Sequence, residues 1–173
     1  MSDWTWDLGR LNAGELSELR SSAGKVVSQA DVSAIRAFYK ACGYCEVWQE
    51  SFLFPAVCMD ALWRSTDAAI IKPMDECLRD MLSKERETTQ SLQHRIDSLL
   101  ETPWDDGGFF LGKMLNLVKL LKSNTQLKPD FQKLSMDLNR WNHPQRYVQR
   151  NWLRTIYNTK TEIINREEQT DAD

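Results

Sequence analysis

The sequence predicts an all-α protein, a compact helical bundle of seven to eight helices in one domain. Apolar residues recur every three or four positions along almost the whole chain, which is the spacing of one face of an α-helix. No segment shows convincing alternation of apolar and polar residues, which would indicate a half-buried strand. The 173 residues, 42% of them hydrophobic, suffice to bury one core without disulfides or a metal.

The first two helices are bounded by glycines. A helix predicted over 13–27 should end near Gly24, and a second, over 31–43, has Gly43 as its stop.

Prolines characterise the next two helices. The strongly apolar segment 46–65 contains Pro55, which should kink the helix or lie within its first turns. In the segment 72–85, Pro73 lies near the first helical position, where proline is favourable because that amide has no partner in the helix.

The second half of the chain continues the helical pattern after a loop at 104–108, where two aspartates and two glycines favour turns. Asp130 lies in a first helical turn, where a carboxylate suits the helix dipole. The predicted helices of this half and of the segment before the loop cover 88–102, 109–124, 128–141 and 143–167, the last being the longest.

The domain prediction is a single unit over residues 1–165. A division near the 104–108 loop, into an N-terminal lobe 1–104 and a C-terminal lobe 108–165, is the alternative. Residues 166–173 form an acidic tail that we expect to be disordered, because so few apolar side chains cannot offset the entropy of ordering.

Charge is distributed unevenly along the chain, although the net charge is only −3. Residues 1–111 carry a net charge of −7, residues 112–160 of +8 and residues 161–173 of −4. A basic block in an acidic protein indicates a local anionic partner, with nucleic acid as the first candidate. The alternative is a solvated face whose charges are matched by acidic neighbours in the fold.

Few residues suggest catalysis or metal binding. Cys42 and Cys45 have the two-residue spacing of a zinc knuckle or a redox pair, but a structural zinc site needs a second pair of ligands, and the thiols are better interpreted as half-buried side chains. Asp105 and Asp106 could ligate a cation, although carboxylates followed by two glycines usually form a turn. We therefore predict no enzyme, no cofactor, no metal and no small-molecule substrate.

The chain shows no basic segment followed by an apolar run at its start, and no apolar stretch reaches the roughly 18 residues that span a bilayer. These observations predict a cytoplasmic protein without a membrane partner. Four cysteines in such a protein should be reduced thiols.

The segment 143–167 has two opposite faces. Three arginines spaced four apart form a stripe spanning about 12 Å of helix, and an apolar stripe lies two residues out of phase. Arginine presents a planar fork of donors that fits phosphate, and no acidic residue lies three or four positions from these arginines. A basic binding face is therefore favoured. The two stripes are Arg146, Arg150 and Arg154, and Val148, Trp152 and Ile156.

The segment "LKPDFQKLSMDLNRWNHPQRYVQRNWLRTIY" resembles the C-terminal signature of the CasB family, the small subunit of the type I-E CRISPR Cascade surveillance complex. The signature has an aspartate with an apolar opening, a leucine-rich helix, a tryptophan, a basic run and a second tryptophan. Upstream, "SLQHRIDSLLET", "NLVKLLKSN", "GELSELRSS" and "AIRAFYKACG" resemble further family segments. The ordered set extends over most of residues 9–158. The residues that match the signature are Asp130, Phe131, Leu134, Leu138, Trp141, Arg146, Arg150, Trp152 and Tyr157.

The resemblance implies an all-α, non-catalytic protein of two helical lobes that contacts the crRNA-bound backbone subunits, the large subunit and a second copy of itself. Its basic surface would hold nucleic acid without reading sequence, chiefly the displaced non-target DNA strand of the R-loop, and crRNA is a second candidate ligand. A helical adaptor whose basic face docks an acidic protein is the alternative function.

The resemblance also implies a set of nucleic-acid-binding residues. The best candidates follow Trp141, and weaker ones lie in the preceding basic helix. They are Arg146, Arg150 and His143, extended by Arg140 and Arg154, and then Lys113, Lys119 and Lys122.

Overall fold

Eight α-helices contain most of the residues in the computed structural model, which describes residues 4–84, 89–105 and 108–158. Two single-turn 3-10 helices cover Leu8–Arg10 and Val27–Gln29. The all-α prediction is confirmed, as is the predicted number of helices for these residues. The helices are α1 Ala13–Ser21, α2 Val32–Cys42, α3 Val47–Asp60, α4 Met74–Lys84, α5 Thr89–Glu101, α6 Phe109–Asn124, α7 Phe131–Asn139 and α8 Tyr147–Tyr157.

Two three-residue strands, β1 Ile70–Lys72 and β2 Leu127–Pro129, pair in parallel. The sequence pattern predicts no strand, because three residues are too few to show an alternation of apolar and polar side chains. The backbone N–H of Asp130 extends the ladder by donating to the carbonyl of Lys72 at 2.8 Å. This pairing therefore ties the start of α4 to the start of α7.

The ends of the early helices follow local signals. Asn12 caps α1, and a reciprocal capping box joins it to Glu15. The helix ends at Ser21, earlier than predicted, and Gly24 lies in the following turn with a φ of 88°. Gly43 ends α2 as predicted, with a φ of 70° that a residue with a Cβ rarely adopts.

The buried apolar residues form two clusters that meet along α3. One cluster joins α1, α2 and one side of α3, and the other joins the opposite side of α3 to α4–α8. Pro55 lies inside α3, beyond its first turns, and is buried. Because α3 belongs to both clusters, the boundary between them is a helix and not a loop.

A continuous line of aromatic rings crosses the larger cluster. Successive ring centroids lie 5.9, 5.2, 4.9 and 5.2 Å apart in the order Phe52, Trp104, Phe110, Trp141 and Trp152. The last three of these four pairs are edge-to-face, an arrangement that stabilises a core beyond the area it buries. The line joins the two sides of the 104–108 loop. The two-lobe division at that loop stays a prediction, and the acidic tail 166–173 lies outside the described residues.

The last predicted helix, 143–167, begins later than expected, at Tyr147. Its predicted continuation beyond Asn158 lies outside the described residues. Within the described ranges, no helix combines the length and apolar composition required to cross a lipid bilayer.

Candidate nucleic-acid interface

Helix α8 presents an apolar face to the core and a basic face to solvent. Val148, Trp152 and Ile156 are buried, as their spacing predicts. Arg150 and Arg154 lie nearly opposite and are exposed. Because Trp152 is buried in the core, the opposite side of α8, which carries Arg150 and Arg154, faces solvent.

Arg146 differs from its predicted place in the helix. It is the residue before the first turn of α8, with left-handed backbone angles of φ 51° and ψ 36°. Its guanidinium Nη2 donates to the carbonyl of Leu100 at 2.8 Å, at the carboxyl end of α5. A cation is favourable there because helix carbonyls at that end lack partners. Arg146 is therefore also a structural contact between α5 and α8.

A hydrogen-bonded turn explains the late start of α8. The side chain of Asn142 both accepts from the N–H of Trp104, at 2.8 Å, and donates to its carbonyl, at 2.6 Å. The N–H of Gln145 donates to Nδ1 of His143, and the N–H of Arg146 donates to the carbonyl of His143. These bonds fix a non-helical backbone that a prediction from periodicity alone does not detect.

Two further predicted residues lie in the connection between α7 and α8. Arg140 is the exposed residue that ends α7. His143 is exposed, and its ring meets Tyr147 edge-on with centroids 4.8 Å apart. Both side chains are thus displayed next to the basic face of α8.

The basic block is only partly neutralised by acidic neighbours. Three of its lysines form ion pairs: Lys122 with Asp67, Lys128 with Asp60 and Lys133 with Asp137. Among the described residues, the block has other cations that form no ion pair: Lys113, Lys119, Arg140, Arg146, Arg150 and Arg154. The alternative of a solvated face whose charges are matched by acidic neighbours therefore applies to the three paired lysines and not to the arginines of α8.

Lys122 differs from the other predicted contacts. Its ammonium lies 3.6 Å from the carboxylate of Asp67 and 6.0 Å from the centre of the Trp63 ring. Both neighbours attract the cation and reduce its availability to a phosphate. The structure therefore separates Lys122 from Lys113 and Lys119, although all three belong to α6.

An open groove of about 950 Å³ runs between α5 and α6. Four basic side chains line it, His94 and Arg95 from α5 and Lys113 and Lys119 from α6. None of the described residues that line this groove is acidic. The arrangement concentrates positive potential in a concave surface, which attracts a polyanion.

The other residues of the groove suit an extended strand. Serine, asparagine and glutamine side chains offer uncharged donors, while Leu117 and Leu120 supply a small apolar floor. Lys113 is held at one end by donating to Oγ1 of Thr102 at 2.7 Å. The phosphates of a strand can form ion pairs with the cations of the groove, and its sugars or base faces can pack on Leu117 and Leu120.

Sequence reasoning missed the α5 contribution to this groove because Arg95 is followed closely by Asp97. Because residues two positions apart lie on nearly opposite sides of an α-helix, Arg95 and Asp97 face different neighbours. Asp97 lies near Tyr157 of α8, where burial first and this carboxylate second raise the pKa of the phenol. The available signal was the spacing of Ser91, Arg95 and Ser98, which forms a polar stripe at helical intervals.

The groove and the α8 surface meet at the carboxyl end of α5. On the groove side, the Lys113 ammonium donates a hydrogen bond to the Thr102 hydroxyl oxygen. On the α8 side, the Arg146 guanidinium donates to the Leu100 carbonyl. Glu101 is exposed between them and is the acidic interruption of this path. Of the eight predicted residues, Lys113 and Lys119 line the groove. Arg150 and Arg154 lie on α8, with Arg146 just before it, and Arg140 and His143 lie in the α7–α8 connection. Lys122 pairs with Asp67.

The cysteines have environments that disfavour the thiolate. Burial raises the pKa of Cys42 to about 12, and burial also raises the pKa of Cys45. A thiolate is the form that ligates metals and attacks disulfides. In the described ranges, no three cysteine, histidine or carboxylate side chains converge to hold a metal. Asp105 is exposed, and Asp106 lies outside the described residues.

Comparison with protein families gives a match over most of the chain. The family model described as CRISPR-associated protein Cse2 matches residues 15–157. None of the curated proteins is similar enough in sequence to match.

Three solved structures share the fold. CasB from M. ruber has 16% sequence identity and a TM-score of 0.66, over 94% of this chain and 92% of its own. CasB from Thermus thermophilus has 22% identity and a TM-score of 0.65, over 91% and 95%. A CRISPR-associated protein of the Cse2 family, also from Thermus thermophilus, has 21% identity and a TM-score of 0.66, over 91% and 95%. At these identities, the structural likeness supports the fold alone.

Proposed function

The chain belongs to the Cse2 family of CRISPR-associated proteins, and from this premise we propose that it is the non-catalytic small subunit of a type I-E Cascade complex in antiviral defence. It binds nucleic-acid backbone without reading sequence, chiefly the displaced non-target DNA strand, and so stabilises the R-loop. It also scaffolds the crRNA-bound filament through contacts with the backbone subunits, the large subunit and a second copy of itself.

One observation carries the nucleic-acid part of the proposal, namely the path of cations from the α5–α6 groove to α8 that form no ion pair among the described residues. Arg150 and Arg154 are exposed on α8, and Arg95 and Lys119 line the groove. Cations without a neighbouring carboxylate attract phosphates and release their counterions, which favours binding to any sequence. Sequence recognition is then left to base pairing with the guide.

Exposed apolar side chains at the start of α3 support the scaffolding part. Tyr44 is 83% exposed, Val47 is 80% exposed and Trp48 is 53% exposed. Aromatic residues displayed together are typical of protein interfaces. This surface belongs to the acidic half of the chain, so that protein contacts and nucleic-acid contacts use different parts of the molecule.

Changing Arg150→Ala and Arg154→Ala together tests the proposal. Both side chains are exposed, so the fold should be retained. In assembled complexes the double variant should hold target DNA more weakly, and the salt dependence of log K should lose about 1.4 in slope if each arginine meets one phosphate of a single strand. Binding measured at several salt concentrations gives this slope.

The control is Lys122→Ala with Lys133→Ala, which removes two cations of the same block that already have carboxylate partners. It should change affinity and slope much less. Equal effects of the two double variants would contradict the specific role of the α8 surface, and unchanged binding by the arginine variant would remove the claim of DNA contact.

The adaptor hypothesis makes a different prediction for the same surface. If the basic face docks an acidic protein, then an acidic polypeptide such as polyglutamate should displace single-stranded DNA at a charge-equivalent concentration. If the groove and α8 are shaped for a nucleic-acid strand, a large excess of polyglutamate should be needed. A gel shift with both competitors separates the two functions.

A further inference from the structure

We propose that a second cavity of the molecule binds a nucleoside phosphate, with the phosphate held by Arg20 and Arg64 and the base on an apolar wall. The cavity has a volume of about 950 Å³ and lies between the N-terminal segment 6–11, α1, the chain that follows α3, and β2 with α7. It shares no lining residue with the α5–α6 groove. This site is therefore additional to the surface proposed for the displaced strand.

Two long-range hydrogen bonds hold the walls of the cavity together. The indole N–H of Trp6 donates to Oδ2 of Asp60 at 2.7 Å, and Nε of Arg20 donates to the carbonyl of Ala61 at 2.7 Å. The first bond joins the N-terminal segment to the end of α3, and the second joins α1 to the same place. Elements far apart in the sequence thus enclose one concave site.

Two cations of the cavity, Arg20 and Arg64, form no ion pair among the described residues. The bond to Ala61 uses only Nε of Arg20 and fixes the side chain, so that the two terminal nitrogens are left to donate to a ligand. Arg64 is exposed. Asp67 accepts from the backbone N–H of Arg64 at 2.8 Å and pairs with Lys122, but it does not pair with the Arg64 guanidinium.

The two carboxylates that line the cavity already have partners. Asp60 pairs with Lys128 through Oδ1 and accepts from Trp6 through Oδ2. Asp7 lies 3.9 Å from Nε of Arg10. Because these cations and donors offset both carboxylates, the charges left without a partner in the cavity are those of the two arginines, and they attract an anion.

The donors of the cavity suit a phosphate better than a carboxylate. The hydroxyl-bearing residues Ser65 and Thr66 line it directly after Arg64. Arginine forks and hydroxyls together offer more donors than the two oxygens of a carboxylate can use, whereas a phosphate monoester has three strongly accepting oxygens. The anionic end of the ligand is therefore assigned as a phosphate.

The rest of the lining suits an aromatic ring. Apolar side chains form one wall, and bases stack or pack on such surfaces. The volume also lies within the range of about 300–1,000 Å³ that is typical of small-molecule sites. A nucleoside phosphate combines the ring and the anion that these two parts of the cavity would bind. The apolar wall contains Trp6, Leu8, Leu11, Leu16 and Trp63.

A titration with thymidine 5′-monophosphate tests the site in the full chain labelled with nitrogen-15. The indole N–H signal of Trp6, assigned by its loss in Trp6→Phe, should shift with a Kd of about 0.1–1 mM. Thymidine and inorganic phosphate should each bind at least about tenfold more weakly, because each makes half of the contacts. No shift at about 10 mM nucleotide, or equal binding of inorganic phosphate alone, would overturn the proposal.

Two arginine variants separate the site from overall charge. Arg64→Gln should raise the Kd for thymidine monophosphate about tenfold, the effect of losing one charged hydrogen-bond donor. Arg36→Gln removes the same charge from an exposed position on α2 that does not line the cavity, and it should leave the Kd unchanged. Equal losses in the two variants would attribute binding to the field of the whole protein and overturn the proposal.

A second pair of variants tests the sign of the ligand's charge. Ala13 is exposed, lines the cavity and is the first residue of α1, where a carboxylate is favourable for the helix. Ala13→Glu should therefore fold, with an unchanged Tm, but repel the phosphate and abolish binding. Ala13→Gln has the same size without the charge and should retain it. Equal losses would show that size excludes the ligand and would overturn its assignment as an anion.

Three further probes identify the source of the ligand. A 5′-phosphorylated tetrathymidylate that shifts the Trp6 signal, where its 5′-hydroxyl form does not, shows that a strand end enters the cavity, whereas binding of the mononucleotide alone shows a free nucleotide. Tighter binding of N-acetyl-glutamyl-leucine than of thymidine monophosphate would assign the cavity to a protein segment and overturn the proposal. Strand affinity and salt slope of the Arg150 and Arg154 double variant test the proposed function separately, so that either result stands without the other.

Discussion

Arg146 illustrates how one side chain serves both structure and charge. It has the only positive φ among the described residues other than glycine. For a residue with a Cβ this backbone costs about 1–2 kcal/mol. The bond from its guanidinium to the Leu100 carbonyl offsets that cost and satisfies one of the last carbonyls of α5. A binding test that also changed Arg146 would therefore mix stability with binding, which is why the test of DNA contact changes only Arg150 and Arg154.

Two substitutions at this position separate the backbone from the side chain. Arg146→Ala keeps the left-handed strain and loses the hydrogen bond, so it should lower the free energy of unfolding by about 1 kcal/mol, or Tm by about 2–4 °C. Arg146→Gly loses the same bond but relieves the backbone, so its Tm should lie close to that of the wild type. Thermal unfolding followed by circular dichroism measures both. A glycine variant no more stable than the alanine variant would contradict the argument.

At the scale of elements, α6 divides its lysines between two neighbours. Lys113 and Lys119 face α5 across the groove, whereas Lys122 faces the loop that carries Asp67. The apolar residues of the same helix, among them Phe110, Met114 and Leu121, are buried. Helical spacing thus identifies the buried face correctly, but it does not say which neighbour each exposed lysine meets.

This division predicts unequal effects for two similar changes. Lys119→Gln should weaken binding of single-stranded DNA and reduce the salt slope by about 0.7, the value for one phosphate contact. Lys122→Gln, on the same helix with the same change of charge, should leave the slope almost unchanged because Asp67 already partners this cation. Fluorescence anisotropy against salt concentration measures both slopes. Equal losses of salt slope in the two variants would indicate that DNA responds to the overall positive potential of this surface and does not bind in the groove.

At the scale of the whole molecule, stability depends on pH through the ion pairs that Asp80 of α4 forms with Lys72 of β1 and with the adjacent Arg79. Burial pushes the pKa of Asp80 upward, but hydrogen bonds from Lys72 and Arg79 more than offset it, and the pKa is lowered overall. A carboxyl with a lowered pKa stabilises the fold above its unfolded pKa of about 3.9, and this contribution disappears as the pH falls through the folded value.

Asp80→Asn tests this linkage. At pH 7 the variant should lose about 0.5 kcal/mol, or about 1–2 °C in Tm, as is typical of half-exposed ion pairs. Once the pH has fallen below the lowered folded-state pKa of Asp80, the two proteins should unfold at the same temperature, because the wild-type carboxyl is then protonated as well. Thermal unfolding across this pH range gives the comparison, and a difference that persists in acid would assign the effect to packing.

Features that depend on near neighbours in the chain could be predicted from the sequence alone. Helical periodicity identified the all-α fold, the burial of Val148, Trp152 and Ile156, and the outward position of Arg150 and Arg154, because residues three and four apart share a face of any α-helix. Gly43 as a helix stop followed from its backbone freedom.

The packing of the helices determines which groups far apart in the sequence meet. It paired β1 with β2, gave Lys122 to Asp67, turned Asp97 toward Tyr157 and placed His94 and Arg95 opposite Lys113 and Lys119. It also delayed the start of α8 to Tyr147 through bonds that Asn142 makes to Trp104. The physical reason is that periodicity encodes which side of a helix is buried, whereas ion pairs, grooves and strand pairing depend on how whole helices pack, and no short segment of the chain encodes that packing.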